Sequence, residues 1–183
     1  HEYAARALTV DYPEISATLS SAPESALQQI RAGSQRTIEM LYWNAASLGL
    51  AIASARNEPA LLARSGEVEA LLNRAFELDD TWDEGSLHEF AISSASLTGI
   101  DLDAIDMHFE QALDLSDGKR AALFVAYAEA TAVPRQDRIA FIDLLERALA
   151  VPVESFPELT LVNTVAQQRA TWLLGQLDML FLE

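Results

Sequence analysis

Cysteine is absent from these 183 residues. That excludes a disulfide framework, a cysteine zinc site and a thiol nucleophile. Lysine is nearly absent: Lys119 stands alone beside eleven arginines. Against these 12 bases are 28 acids, for a formal net charge of −16. A surface of that sign repels phosphate backbones and anionic headgroups, which argues against nucleic acid and acidic membrane surfaces as partners. Seven glycines are too few for a phosphate-cradling loop. Long apolar runs are missing too. The longest uncharged stretch, residues 40–55, is shorter than the roughly 20 residues a bilayer span needs. The chain opens at His1 in an already helical pattern, HEYAARAL. The expectation is a longer natural chain, with any signal peptide or lipidation cysteine lying upstream.

What is present is a globular composition, half of it hydrophobic. The expectation is a single domain over 1–183, with short helices in 1–33 ahead of a repeat core in 34–183 closed by a C-terminal helix. The repeat is organised around VEALLNRAFELDD, Val68 to Asp80. IDMHFEQALDLSD follows 37 residues later, and FIDLLERALAVPV a further 36 on. Val68, Ile105 and Phe141 align, as do Leu72, Phe109 and Leu145, and Ala75, Ala112 and Ala148. Spacing of i, i+4, i+7 is one face of an α-helix, and a period of this length marks a repeat array. The copies resemble the second helix of a tetratricopeptide repeat, with the small alanine admitting a neighbouring helix. No segment alternates with period 2 over strand length, so the expected fold is all-α, antiparallel helix pairs forming a superhelix.

Along the chain, Gly33 is expected to end a short helix as a left-handed cap. A long helix should cover 35–56. Ser86 and Glu89 have capping-box spacing, although that helix can begin as early as Thr81 or Trp82. Val133-Pro134 should break the helix that starts at Lys119. Ser155 and Glu158 form a second capping-box pattern, ahead of one last helix from Glu158 to about Phe181. The first helices of the repeats (40–55, 87–98 and 120–133) are rich in small apolar residues and carry Trp43, Phe90, Phe124 and Tyr127. Glu89 and Glu129 are their only acids. Two readings stand for this lining: a dry cavity, or ordinary core.

Candidate chemistry is sparse. Asp79, Asp80 and Asp83 have the D-D-x-x-D spacing of Mg²⁺-dependent all-α isoprenoid enzymes, whose carboxylates hold magnesium and diphosphate. The alternative is a solvated turn after a repeat helix. His88-Glu89 begins an H-E-x-x-H pattern that has no second histidine. His108 aligns with Leu71 and Leu144, which places it at the edge of a helix interface, with ligand binding as the other reading. Asn163 and Gln167 share a helix face near Arg169. They either tie neighbouring segments together or bind a ligand carboxylate, with Arg169 as the charge. No cofactor, metal or catalytic set is expected.

Leu41-Tyr42-Trp43, the Ala75-to-Asp79 helix end, His108-Phe109-Glu110-x-Ala112 and Tyr127-Ala128 fall in order along the chain. Phe141-x-x-x-Leu145, Asn163, Ala166-Gln167-x-Arg169-Ala170 and Leu180-Phe181 continue the series. Together they resemble the T component of tripartite ATP-independent periplasmic (TRAP) transporters. The resemblance implies a non-catalytic periplasmic scaffold, lipid-anchored in full length and able to form homotrimers. It would dock the TRAP substrate-binding component, with a small organic or hydrophobic ligand passing between them. It also implies Tyr42, Trp43, Asn163, Gln167 and Arg169 as ligand- or partner-facing, and His108 and Tyr127 lie within its matched motifs. A generic tetratricopeptide adaptor is a further alternative, though the inner helices lack the cationic clamp such grooves use for acidic peptide ends, and a repeat-protein chaperone of lipoprotein or outer-membrane assembly is another.

Overall fold

A computed structural model describes residues 2–31, 34–55 and 57–182. Those residues are overwhelmingly helical and carry no strand. Gly33 lies outside them. The chain divides into two compact units, His1–Asp83 with Leu97–Gly99 and Glu84–Ser96 with Ile100–Glu183.

The first unit contains α1 (Glu2–Asp11), α2 (Pro23–Leu27), α3 (Gln35–Ser54), α4 (Pro59–Leu62) and α5 (Ser65–Leu78). Ser34 starts α3 by accepting the Thr37 amide on its hydroxyl at 3.2 Å, as a helix N-cap does. The core is the α3–α5 pairing, in which Leu41, Leu48 and Ile52 meet Val68, Leu71 and Ala75 as fully buried faces. Thr37, Asn44 and Glu67 are the buried polar side chains of α3 and α5 among the described residues. Glu67 is 2% exposed and is held in a two-pronged ion pair by Arg64, at 2.9 and 2.8 Å. Burial pushes its carboxyl up, against the opposing pull of the guanidinium. Asn44 is fully buried, and among the described residues neither atom of its amide meets a hydrogen-bonding group.

From α6 (Trp82–Ser93) the chain continues through α7 (Ala95–Thr98), α8 (Leu102–Ser116), α9 (Ala121–Tyr127) and a π-helical turn (Ala128–Ala132). Then come α10 (Val133–Arg135), α11 (Arg138–Ala150), α12 (Thr160–Leu174) and α13 (Leu177–Leu180). Asp101 caps α8 and Asp137 caps α11, each accepting the amide three residues on. The left-handed Asp117 and Gly118 close α8, with the Gly118 amide reaching back to the Leu113 carbonyl at 3.3 Å. The core of this second unit packs α9, α11 and α12 on one another around Phe124, Phe141, Leu145, Ala170 and Leu173.

The aligned repeat positions behave alike. Val68, Ile105 and Phe141 are buried, as are the three aligned alanines. Three expectations need correction. Val133-Pro134 does not break its helix. The preceding turn widens to π instead, and the helix runs on to Arg135. Proline lacks an amide and its ring would strike the carbonyl four residues back in an α-turn, and a wider turn relieves both. The last helix is not continuous: it stops at Leu174 and resumes at Leu177 after a turn at Gly175. Ser155 caps nothing. Two short 3-10 turns, Val153–Ser155 and Pro157–Leu159, lead into α12 without a side-chain cap.

Candidate functional site

Small residues on one side of α9 and the π-turn leave unfilled the space between them and the neighbouring helices. Ala122, Ala126 and Ala130 lie there, facing Leu161 and Val165 of α12. Ile92 and Ile105 complete a groove of about 800 Å³ within the second unit. Its walls are aliphatic, and Leu161 and Val165 are 76% and 56% exposed. Burying such a side chain fully is worth about 1.5–3 kcal/mol, so the uncovered groove has a standing tendency to take an apolar occupant.

Charge enters the groove at three side chains, Glu89, Glu129 and Arg169. Arg169 Nη2 donates to Glu129 Oε1 at 2.6 Å, and its guanidinium lies 4.5 Å from the Trp172 ring centroid. Glu89 Oε2 accepts from Nε of the buried Arg120 at 2.8 Å. On so acidic a chain, a groove whose acids are both matched by arginine is locally near neutral. The two acids of the small-residue helices thus stand on the groove. The apolar stripe on the other side of α9, Leu123 and Phe124, is core. One side of α9 is thus core and the other faces an open groove.

The candidate residues read from the sequence fall in both units. Tyr42 and Trp43 belong to the first unit, where Tyr42 meets Trp43 edge-on at 5.2 Å and Trp82 at 5.0 Å. Trp43 is largely exposed. In the second unit, Asn163 is fully buried. Its Oδ1 accepts the Ala121 amide and its Nδ2 donates to the Lys119 carbonyl, both at 2.9 Å. Gln167 Nε2 lies within 3.2 Å of the carbonyls of Ala148, Leu149 and Val151, so it serves acceptors left over at the end of α11. Arg169 alone of that trio reaches the groove. Tyr127 stacks on Phe109 with ring centroids 3.9 Å apart and donates from its hydroxyl to Asp106 at 2.8 Å. Burial, then the Asp106 carboxylate, raises its phenol.

His108 Nδ1 lies 2.8 Å from His88 Nδ1. Burial, and secondarily the His88 charge, lower His108 to about 4. Sequence reading considered the two histidines separately and missed the pair, because residues 20 apart on different helices carry no local signal. Asp79 Oδ1 accepts from the amide of Thr81 at 3.0 Å and from its hydroxyl at 2.7 Å. Its carboxylate is thus part of the turn that leads into α6. Among the described residues no three of His, Asp or Glu are gathered so as to hold a metal ion. The D-D-x-x-D spacing therefore does not assemble Asp79, Asp80 and Asp83 into such a set. Among the same residues no helix is long and apolar enough to cross a membrane.

An uncharacterized protein of Treponema pallidum (strain Nichols) is 26% identical over 186 residues, which cover 99% of this chain and 58% of that protein. The chain therefore spans less than two thirds of the length of that relative. The model of the TRAP transporter T-component family matches residues 1–181. The chain belongs to the TRAP transporter T-component family, a transporter-associated group rather than a known enzyme family.

Proposed function

We propose that this protein is a non-catalytic scaffold of a periplasmic TRAP solute-uptake system that docks the substrate-binding component. Its groove receives an apolar organic anion, and Arg169 meets the anionic end. The observation that carries this reading is the aliphatic groove of about 800 Å³ with a guanidinium on its edge. An apolar body gains from covering Leu161 and Val165. A carboxylate competes with Glu129 for Arg169 in a bidentate geometry suited to it. The apolar residues left exposed on α12, Leu161, Val165 and Trp172, provide a face for a partner protein or a second copy.

The wider reading keeps residues 34–183 as a divergent tetratricopeptide-like superhelix. It places the protein as a homotrimer, held at the membrane by a lipid anchor upstream of His1. Tyr42 and Trp43 are the partner-facing aromatics of the first unit. His108, Tyr127, Asn163 and Gln167 serve the groove indirectly, by holding the helices around it.

Two measurements test this. In-cell crosslinking of the tagged protein, followed by mass spectrometry, should recover a periplasmic solute-binding protein together with self-crosslinks. Recovery of cytoplasmic partners alone would sink the scaffold reading. Titration with the apolar anion 1-anilinonaphthalene-8-sulfonate should show saturable binding. Arg169→Gln should weaken it about fivefold, the scale of one partly exposed ion pair. An unchanged affinity would remove Arg169 from the site.

A further inference from the structure

The π-turn in the groove wall is bracketed by two side chains that converge on one carboxylate. Tyr127, just before it, donates to Asp106 Oδ1 at 2.8 Å, and Arg135, just after it, donates from Nη2 to Asp106 Oδ2 at 3.1 Å. These residues are eight apart. In an α-helix eight steps end about 80° away from the starting direction, while seven return to within about 20° of it. A π-turn absorbs one residue, so it gives positions 127 and 135 nearly the relationship of i and i+7. The widened turn and the shared carboxylate thus specify each other. Thr131 adds a bond from its hydroxyl to the Tyr127 carbonyl at 2.7 Å, within the same turn.

The turn's register decides what the groove presents. Glu129 and Ala130 lie in the π-turn and Pro134 just after it, and all three line the groove. Glu129 is the residue that occupies Arg169. A slip of one residue turns a helical side chain through about 100° and would carry Glu129 away from that guanidinium.

We propose that Asp106 is a positioning residue that locks the π-turn so that Glu129 faces Arg169, and thereby sets how strongly the groove prefers an anion. This rests on the groove reading above. Asp106 touches no ligand. It acts from α8 through Tyr127 and Arg135, and the charge it governs is Glu129.

The test compares an apolar anion, 1-anilinonaphthalene-8-sulfonate, with a neutral apolar probe, N-phenyl-1-naphthylamine, on the whole chain. Glu129→Gln, which frees Arg169 directly, sets the reference change in the anion-to-neutral affinity ratio. Asp106→Ala should raise that ratio in the same direction, by about fivefold, equivalent to one exposed ion pair. Asp106→Glu, which keeps the charge, should restore part of the wild-type ratio. Amide exchange in Asp106→Ala should quicken at 128–133 and not across the unit. An unchanged ratio, or quicker exchange spread evenly over 84–183 with an unchanged ratio, would overturn the proposal, since a general loss of stability has no anion preference. Should Asp106→Ala fail to fold, Tyr127→Phe and Asp106→Asn each weaken the clamp and are read the same way. If the wild-type protein binds neither probe, the groove reading fails. Exchange at 128–133 then judges the clamp alone: local quickening sustains it and its absence refutes it.

Discussion

His88 of α6 and His108 of α8 meet ring to ring, with 2.8 Å between their Nδ1 atoms. At that distance one Nδ1 donates and the other accepts, so the contact requires at least one neutral ring.

This pair predicts acid sensitivity. His108 is lowered to about 4 in the fold from an ordinary value near 6.5. The unfolded chain therefore binds its proton first. The stabilisation is complete above about pH 6.5 and drains away as pH falls toward 4. Glu67, raised by burial, slopes the opposite way, favouring the fold below its unfolded value and losing that advantage as pH rises. The comparison is therefore between wild type and His108→Gln. The difference in urea midpoint between them should change between pH 7 and pH 4.5, and a constant difference would count against the lowered His108.

Asn163 is expected to act on stability rather than on binding. Removing it strands the Ala121 amide and the Lys119 carbonyl in or near the interior, at about 1–3 kcal/mol for a buried group left unpaired. Asn163→Ala should lower the melting temperature by several degrees while leaving probe affinity within about twofold at temperatures where it is folded. Loss of binding with unchanged melting would assign Asn163 to the ligand instead.

Gly85 has φ +91°, and a Cβ there would lie 3.0 Å from the Ala112 Cα. Both the backbone conformation and the close approach of α6 to α8 disfavour a side chain. Gly85→Ala should cost on the order of 1–3 kcal/mol, measured as a shift in urea midpoint at constant m-value. A neutral result would mean that this backbone is readily rearranged.

The Arg64–Glu67 pair should respond asymmetrically. Arg64→Met leaves a buried carboxylate uncompensated and should destabilise by about 3–5 kcal/mol. Glu67→Gln leaves a guanidinium that is partly in solvent, and should cost clearly less. Equal costs in chemical denaturation would show that Glu67 finds other solvation.

The helices themselves were legible because their evidence is local. Val68, Leu72 and Ala75 repeat as Ile105, Phe109 and Ala112 and again as Phe141, Leu145 and Ala148, and burial follows the stripe each time. Asp117 and Gly118, whose types suit a left-handed pair, carry the stop of α8 in their own sequence. The π-turn was not legible. Pro134 reads as a breaker in any local grammar, and only Asp106, 28 residues upstream, shows that the chain accommodates it. The candidate site was legible by residue type and not by direction. Arg169, Glu89 and Glu129 stood out as charges on apolar helices, and all three line the groove. Asn163 and Gln167 stood out equally, yet they bond to backbone, and nothing in the spacing of a helix says what lies opposite it. That the groove exists at all follows from alanines at 122, 126 and 130, which look like core positions until a wall is missing.

Lys119 lends its carbonyl to Asn163 and holds its ammonium 5.9 Å from the Phe156 ring centroid. It is also the only lysine in the chain. Within these 183 residues, reagents that join lysine amines will therefore report contacts from a single side chain, beside the loop between α11 and α12. Carboxylate-directed or photoactivated coupling, which can draw on 28 acids or on any residue, is the chemistry that can map its surfaces.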